Sequence, residues 1–208
     1  MNMTVQMADA QTPGPVPPAL KRFIWDIQSM VELADSEREI LVIGRDLMAR
    51  LVARDDWLPE VFATPDPAGG VQYQLYRDGL ERFSVVSTVL PPGSGLLVDQ
   101  PSLWEIAGVL RGSVSRQLHV SSAARSADEP RALRAAEVGA SASRIGGSTE
   151  ISNALADQMS ISVHVYGGDV TKLSARRIAG DREQALGYAN GPSAPPYDIL
   201  TIQTQIID

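Results

Sequence analysis

Between Ala19 and Val52 apolar residues return every three or four positions. Leu20, Phe23, Ile24, Ile27, Met30, Val31 and Leu33 mark one amphipathic helix, and Ile40, Leu41, Ile43, Leu47, Met48, Leu51 and Val52 mark a second, with that set turned toward a core. Ser36 followed three residues later by Glu39 is a capping-box pattern, so the second helix is expected to start there. Asp55-Asp56 ends it, and Trp57-Leu58-Pro59 begins a turn. Ahead of the helices, Thr12-Pro13-Gly14-Pro15-Val16-Pro17-Pro18 excludes helix, which makes residues 1–18 a disordered or extended lead-in.

From Gln72 the period changes to two. Gln72–Tyr76 and Arg82–Leu90 are predicted strands joined by the Asp78-Gly79 turn, and further strands are expected near 95–99, 103–110 and 114–120. Pro91-Pro92-Gly93-Ser94-Gly95 supplies a turn among them. Residues 121–131 are polar and turn-rich, as for a mobile loop, and a last strand is expected at 199–207. The sharpest alternation is Ser160–Asp169. There Ser160, Ser162, His164 and Tyr166 share one strand face, and Ile161, Val163 and Val165 the other. A polar face on a strand of an otherwise apolar barrel is a candidate pocket lining. Helices first and many short strands after predict a helical cap (19–56) on a β-barrel (70–208), one domain over 19–208.

Composition narrows the function. With 208 residues and 44% hydrophobic content the chain can bury one sizeable core. A net charge of -7 and the lack of a basic run argue against a nucleic-acid partner, and zero cysteines exclude disulfides, a cysteine nucleophile and thiolate metal sites. No stretch approaches the length of apolar residues a membrane span needs, and the first residues lack the basic start of a secretory leader, so no membrane partner and a cytoplasmic location are expected.

Several stretches together resemble one family. They are Asp56-Trp57-Leu58-Pro59, Tyr73 through Val86, Pro92-Gly93, Gly108 through Gly112, Asn153-Ala154-Leu155 and Ser160 through Gly167. Across about residues 18–192 the chain is similar to the cupin-fold thiol dioxygenases, above all the bacterial 3-mercaptopropionate dioxygenases and more distantly the cysteine dioxygenases. The resemblance implies a mainly β fold, a cupin double-stranded β-helix barrel of jelly-roll type behind N-terminal α-helices. It also implies a ferrous iron held by three histidines, two of them in a His-Asp-His triplet shortly before Trp104.

The chain departs from that pattern at all three ligands. The triplet is matched by Asp99-Gln100-Pro101, and the third histidine, fifteen residues before His164, is matched by Thr149. Proline offers no donor, threonine a poor neutral one, and a single carboxylate cannot hold the ion against water. Loss of thiol dioxygenase activity is therefore expected, with no metal and no cofactor. The family's Ser-His-Tyr relay is retained as Ser162, His164 and Tyr166. Where those enzymes have glycine or cysteine after the tryptophan, this chain has Glu105, expected to point toward Tyr166.

The resulting expectation is a metal-independent acid/base enzyme acting on a small molecule, of isomerase, cyclase, dehydratase or lyase type and suited to specialised biosynthesis. Its catalytic residues would be His164, Tyr166, Ser162, Glu105 and Asp99. Tyr73, Trp104, Thr149, Arg176 and Arg177 would contact the substrate, either arginine serving as an anion site. Two alternatives stand beside it: a non-catalytic small-molecule binder or partner protein, and a metal-dependent oxygenase whose site is rebuilt from Asp99, Glu105 and His164. His119, the other histidine, is expected to be structural, and a homodimer is the assembly that exposed cupin faces favour.

Overall fold

The computed structural model describes residues 14–99, 102–119, 130–143, 147–179 (backbone only at 179), 182–189 (backbone only at 182 and 183), 197 and 199. Two helices come first, α1 (Pro18–Leu33) and α2 (Glu37–Val52). Pro18 stands in the first turn of α1, where its missing N–H is not needed. Ser36 caps α2 by accepting from the Glu39 amide at 3.3 Å, while the Glu39 carboxylate turns back to the Asp35 amide at 3.1 Å. The capping box is thus present, displaced by one residue on its return arm. Gly44, Met48, Leu51 and Val52 form the buried stripe of α2. Ile43, expected in the core, is 39% exposed because that stripe runs through its neighbour Gly44. No helix among the described residues is long and apolar enough to cross a membrane.

Eleven strands follow among the described residues: β1 (Val71–Arg77), β2 (Ser84–Leu90), β3 (Gly95–Asp99), β4 (Glu105–Arg111), β5 (Ser113–His119), β6 (Arg131–Arg134), β7 (Val138–Ser141), β8 (Ser148–Asn153), β9 (Ser160–Tyr166), β10 (Ala175–Ala179) and β11 (Arg182–Leu186). They make two sheets, in the orders β1-β2-β9-β4-β7 and β11-β10-β3-β8-β5-β6, with every recorded pairing antiparallel. Renumbering β2 through β9 as one to eight gives the orders 1-8-3-6 and 2-7-4-5. That is the jelly roll, the double-stranded β-helix of the cupin fold. β1 extends one sheet, and the β10–β11 hairpin extends the other.

The period-two reading places β1 to β5 and β9 well and misses β6, β7, β8, β10 and β11. Those strands are four to six residues long; β6, β10 and β11 carry Arg131, Arg134, Arg176, Arg177 and Arg182, β7 is Val-Gly-Ala-Ser and β8 Ser-Thr-Glu-Ile-Ser-Asn, so no sustained apolar alternation marks them. Position 130 and Arg131 are the described part of the expected loop, and Arg131 opens β6. The rest of that loop, and the last strand beyond Ile199, lie outside the described residues.

The first sheet divides the interior. Ile161, Val163 and Val165 of β9 pack outward with Ile106 and Leu110 of β4 against Leu20, Phe23, Ile24 and Ile27 of α1 and Met48 and Leu51 of α2. Leu90, Leu96, Val98, Val109, Val114 and Ile151 fill one end of the space between the sheets. Gly108 of β4 marks the closest approach of α2: an added Cβ would sit 2.7 Å from Met48 Cγ and 2.8 Å from Val52 Cγ1. Gly108→Ala should therefore destabilise the fold by about 1–3 kcal/mol through overpacking, read as a lowered urea midpoint.

Candidate functional site

Register decides which side chains meet between the sheets. Ser84, Tyr166 and Glu105 form one cross-strand row over β2, β9 and β4, with Val86, His164 and Ala107 in the next row and Thr88, Ser162 and Val109 in the third. Direct neighbours in such rows have Cβ atoms about 5 Å apart. The small Ala107 beside His164 leaves the imidazole room to lean toward Glu105. Gln72 and Gln74 of β1 continue two of the rows, and the Gln72 amide donates to Thr88 Oγ1 at 3.3 Å.

Glu105 is the centre of this face and is fully buried. One carboxylate oxygen accepts from His164 Nδ1 at 2.7 Å, and the other accepts from Arg116 Nη2. Arg116 stands on β5, so the ion pair spans the two sheets; its side chain is 14% exposed and that of Glu105 0%. Nδ1 faces the carboxylate and carries its hydrogen; in the neutral imidazole Nε2 then accepts from the Ser162 hydroxyl, 2.8 Å away. The result is a continuous chain, Ser162 to His164 to Glu105 to Arg116. Its ionic members balance, one carboxylate against one guanidinium.

Tyr166 completes the cluster. Its ring lies parallel to His164 with centroids 5.8 Å apart. Burial pushes its phenol well above the usual value near 10, the Glu105 charge pushes the same way, and Arg116 opposes them. Tyr166 is thus a protonated hydrogen-bond donor at every physiological pH. Its hydroxyl lies against Glu105 without an aligned hydrogen bond, and Arg116 Nε is likewise buried and unpartnered. Two donors are left over around one carboxylate.

Of the sequence-expected site residues, Ser162, His164, Tyr166 and Glu105 come together. Asp99 does not: it alternates with the buried Val98, faces out of the second sheet at 40% side-chain exposure, and bonds to Ser174 and, at 3.2 Å, Arg176. Strand parity turns it away from the interior, so it is no partner for Glu105. Arg176 shares that outer face. Arg177 instead turns to the far end of β2, donating to Gly70 O at 2.6 Å and Asp66 at 2.7 Å in an open cleft of about 530 Å³ lined also by Pro91–Ser94. Tyr73 is on the helix side of β1, its hydroxyl donating to Thr64 O at 2.8 Å and its ring against Phe62. Trp104 also joins the helix-side core and stacks over Gly167. Thr149 is buried between β3 and β5, facing inward with Val98 and Leu118. His119 faces outward and bonds to Glu150 at 3.0 Å.

Arg116 was missed. The available signal was the inward set Val114, Arg116, Leu118 on β5, a charge in the middle of an apolar stripe.

The residues matched to the family's iron ligands do not fit that ion. Asp99 points out of the barrel, Thr149 offers only a neutral hydroxyl, and Gln100 and Pro101 lie outside the described residues. Among the described residues no three histidine, cysteine or carboxylate side chains gather around one point.

No family model matches the chain. Among solved structures it is similar to an uncharacterised protein with a double-stranded β-helix domain from Klebsiella pneumoniae (13% identity, 56% of this chain and 91% of that one, TM-score 0.44). It is also similar to an oxalate oxidase (18%, 50% and 53%, 0.41) and to an 11S globulin from Wrightia tinctoria (18%, 62% and 30%, 0.42). The chain spans about half the length of the oxidase and under a third of the globulin. The strand order by itself is that of a jelly roll.

Two consequences can be measured. Arg116→Met should cost about 3–5 kcal/mol by stranding the Glu105 carboxylate, and the double variant Glu105→Gln/Arg116→Met should recover much of it, both read by denaturant unfolding. A phenol whose folded pKa is raised keeps its proton while the unfolded chain releases it. Stability should therefore fall as pH climbs through about 10 and beyond. Tyr188, raised by burial and by Asp169, acts in the same direction. Tyr166→Phe should flatten the fall between about pH 9 and about pH 11 by up to about 1.4 kcal/mol per pH unit, read from urea midpoints at each pH.

Proposed function

We propose that the chain is a divergent relative of the thiol dioxygenases that no longer uses iron and carries out acid–base chemistry on a small molecule. The observation that carries this reading is the buried Glu105 carboxylate, held by His164 Nδ1 at 2.7 Å and by Arg116, with the Tyr166 hydroxyl against it. An ionised carboxylate is a Brønsted base, and this one lies beside a phenol that keeps its proton. Glu105 is the base and Tyr166 the proton donor. His164 and Arg116 are positioning residues: they fix the carboxylate, and Ser162 fixes the imidazole tautomer. Asp99, the other carboxylate expected to serve, has no part in this scheme. Isomerisation, cyclisation, dehydration and C–S bond elimination all need this pairing of a base with a nearby acid.

The rival reading, a binder without catalysis, draws on the complete burial of Glu105 and His164, since a satisfied polar network also rigidifies a core. One experiment separates the two. The full chain is incubated in D2O with a pooled set of small metabolites, and mass spectrometry follows substrate deuteration and product formation. Turnover should fall by about 10²–10⁴-fold in Glu105→Gln. In His164→Ala it should fall less and shift its pH profile, and added ferrous ion should leave it unchanged. Full turnover in Glu105→Gln, or turnover that requires ferrous ion, would sink the proposal.

A further inference from the structure

On the acid–base reading of the cluster, a substrate has to reach Glu105 and His164, neither of which is exposed to water. Some part of the chain must therefore move to admit it, and the register shows at which end. Glu105 opens β4, Ser84 opens β2 and Tyr166 closes β9, so their shared row is the last one at that end of the three strands. Beyond it, among the described residues, connecting segments cover the space between the sheets. The opposite end is filled by Leu90, Leu96, Val98, Val109 and Ile151.

Three partly buried side chains from three such segments pack on the buried trio Val86, Tyr166 and Val170: Leu103 before β4, Leu173 after β9, and Tyr188 after β11. They are not equally fastened. Beside Leu103, Gly167 N bonds to Trp104 O at 2.9 Å and the Trp104 indole lies so close over Gly167 that no side chain would fit there. The turn that carries Leu173 is held by Ser84 Oγ donating to Gly168 O at 2.8 Å, by Thr171 N to Asp169 at 2.9 Å and by Leu173 N to Val170 O at 3.0 Å. Residues 187–189 have two hydrogen bonds among the described residues. Ala189 N donates to Gln72 O at 2.9 Å, and the Tyr188 hydroxyl reaches Val170 O at 3.4 Å, long for a bond of this type. A Cβ on Gly187 would meet nothing within 4 Å, so the chain entering this segment is unpacked on that side. Segments with so few fastenings open at the lowest free energy.

Tyr188 is also the cover nearest the chemistry. Its ring packs on Tyr166, and its hydroxyl is close enough to weigh on the ionisation of that phenol. We infer that Tyr188 is the gate of this barrel: its ring plugs the end where Tyr166 and Glu105 lie, and a swing of residues 187–189 opens the space that the ring fills. Lifting it gives up one long hydrogen bond and the packing of the ring on Val86, Tyr166 and Val170. What enters takes the place of the phenol ring against two valines and a tyrosine. The opening therefore favours a small molecule with an apolar portion of about that size, and once seated it excludes water from the cluster as the ring does.

The chain has no cysteine, so a single introduced thiol reports access at one place. Val86→Cys puts it beneath Tyr188, and Val114→Cys puts it in the apolar filling of the other end as a control. Each full-length variant is treated under native conditions with methyl methanethiosulfonate, a small neutral thiol reagent, and intact mass follows the labelling rate. Adding Tyr188→Ala should speed labelling at position 86 at least about tenfold and change that at position 114 by less than about twofold. Tyr188→Phe keeps the ring and loses only the bond to Val170, and should speed labelling at position 86 by about two- to tenfold. The inference is overturned if position 86 labels at the rate of the urea-unfolded chain with Tyr188 in place, or if neither variant speeds position 86 relative to position 114. Labelling needs no turnover, so failure of the gate and failure of Glu105 as the base are separate results.

Discussion

A carboxylate with no exposure to water governs the interior of this barrel. Glu105 sits at the start of β4, and His164 and Arg116 both donate to it, which offsets the cost of its burial. The two donors come from different sheets, one beside it on β9 and one across the barrel on β5. The ion pair therefore works as a cross-brace between the two layers. Placing Arg116 so deep is unfavourable without Glu105, and the reverse holds equally, which makes the pair a joint requirement on both strands.

A metal site would meet the need for charge inside a barrel by different means. An iron site brings a positive charge into the barrel and neutral imidazoles around it. Here the positive charge is a guanidinium fixed to the chain, and it comes with its own counter-charge. The two differ in kind: one uses groups that coordinate through lone pairs, the other groups that donate hydrogen bonds. Ser162, His164 and Tyr166 share the inward face of β9, where His164 bonds to Glu105 and lies only parallel to Tyr166.

How much of this was legible in the sequence varies by element. The helices, the capping pair Ser36 and Glu39 and the alternating stretch Ser160–Tyr166 could be read because each follows a local rule. Glu105 stood out by its position after Trp104, and its burial matches the side chain's expected aim toward Tyr166. Arg116 could not be found by the same means, because its role depends on a partner eleven residues away across a barrel that only tertiary structure closes. Asp99 failed for a related reason. Motif matching placed it at a ligand position, but the parity of β3, set by Val98 facing inward, turns it to solvent and to Arg176. Tyr73 and Trp104 are on the helix side by the same logic of alternation.

Alternation also links the helical layer to the site. On β4 and β9 every second residue answers to α1 and α2, and the residues between answer to the interior. Gly108 lets α2 settle directly on β4, with Met48 and Val52 against it, and Gly44 on α2 receives Ile106 from the same strand. These contacts fix β4 in register against β9, so that Glu105 falls opposite Tyr166 and Ala107 opposite His164. A slip of one residue would bring Ile106 inward beside Tyr166 and leave Glu105 against the apolar helix layer, with no donor in reach. The helices contribute no polar group to the cluster, yet their packing sets the single register in which the buried carboxylate finds its two donors.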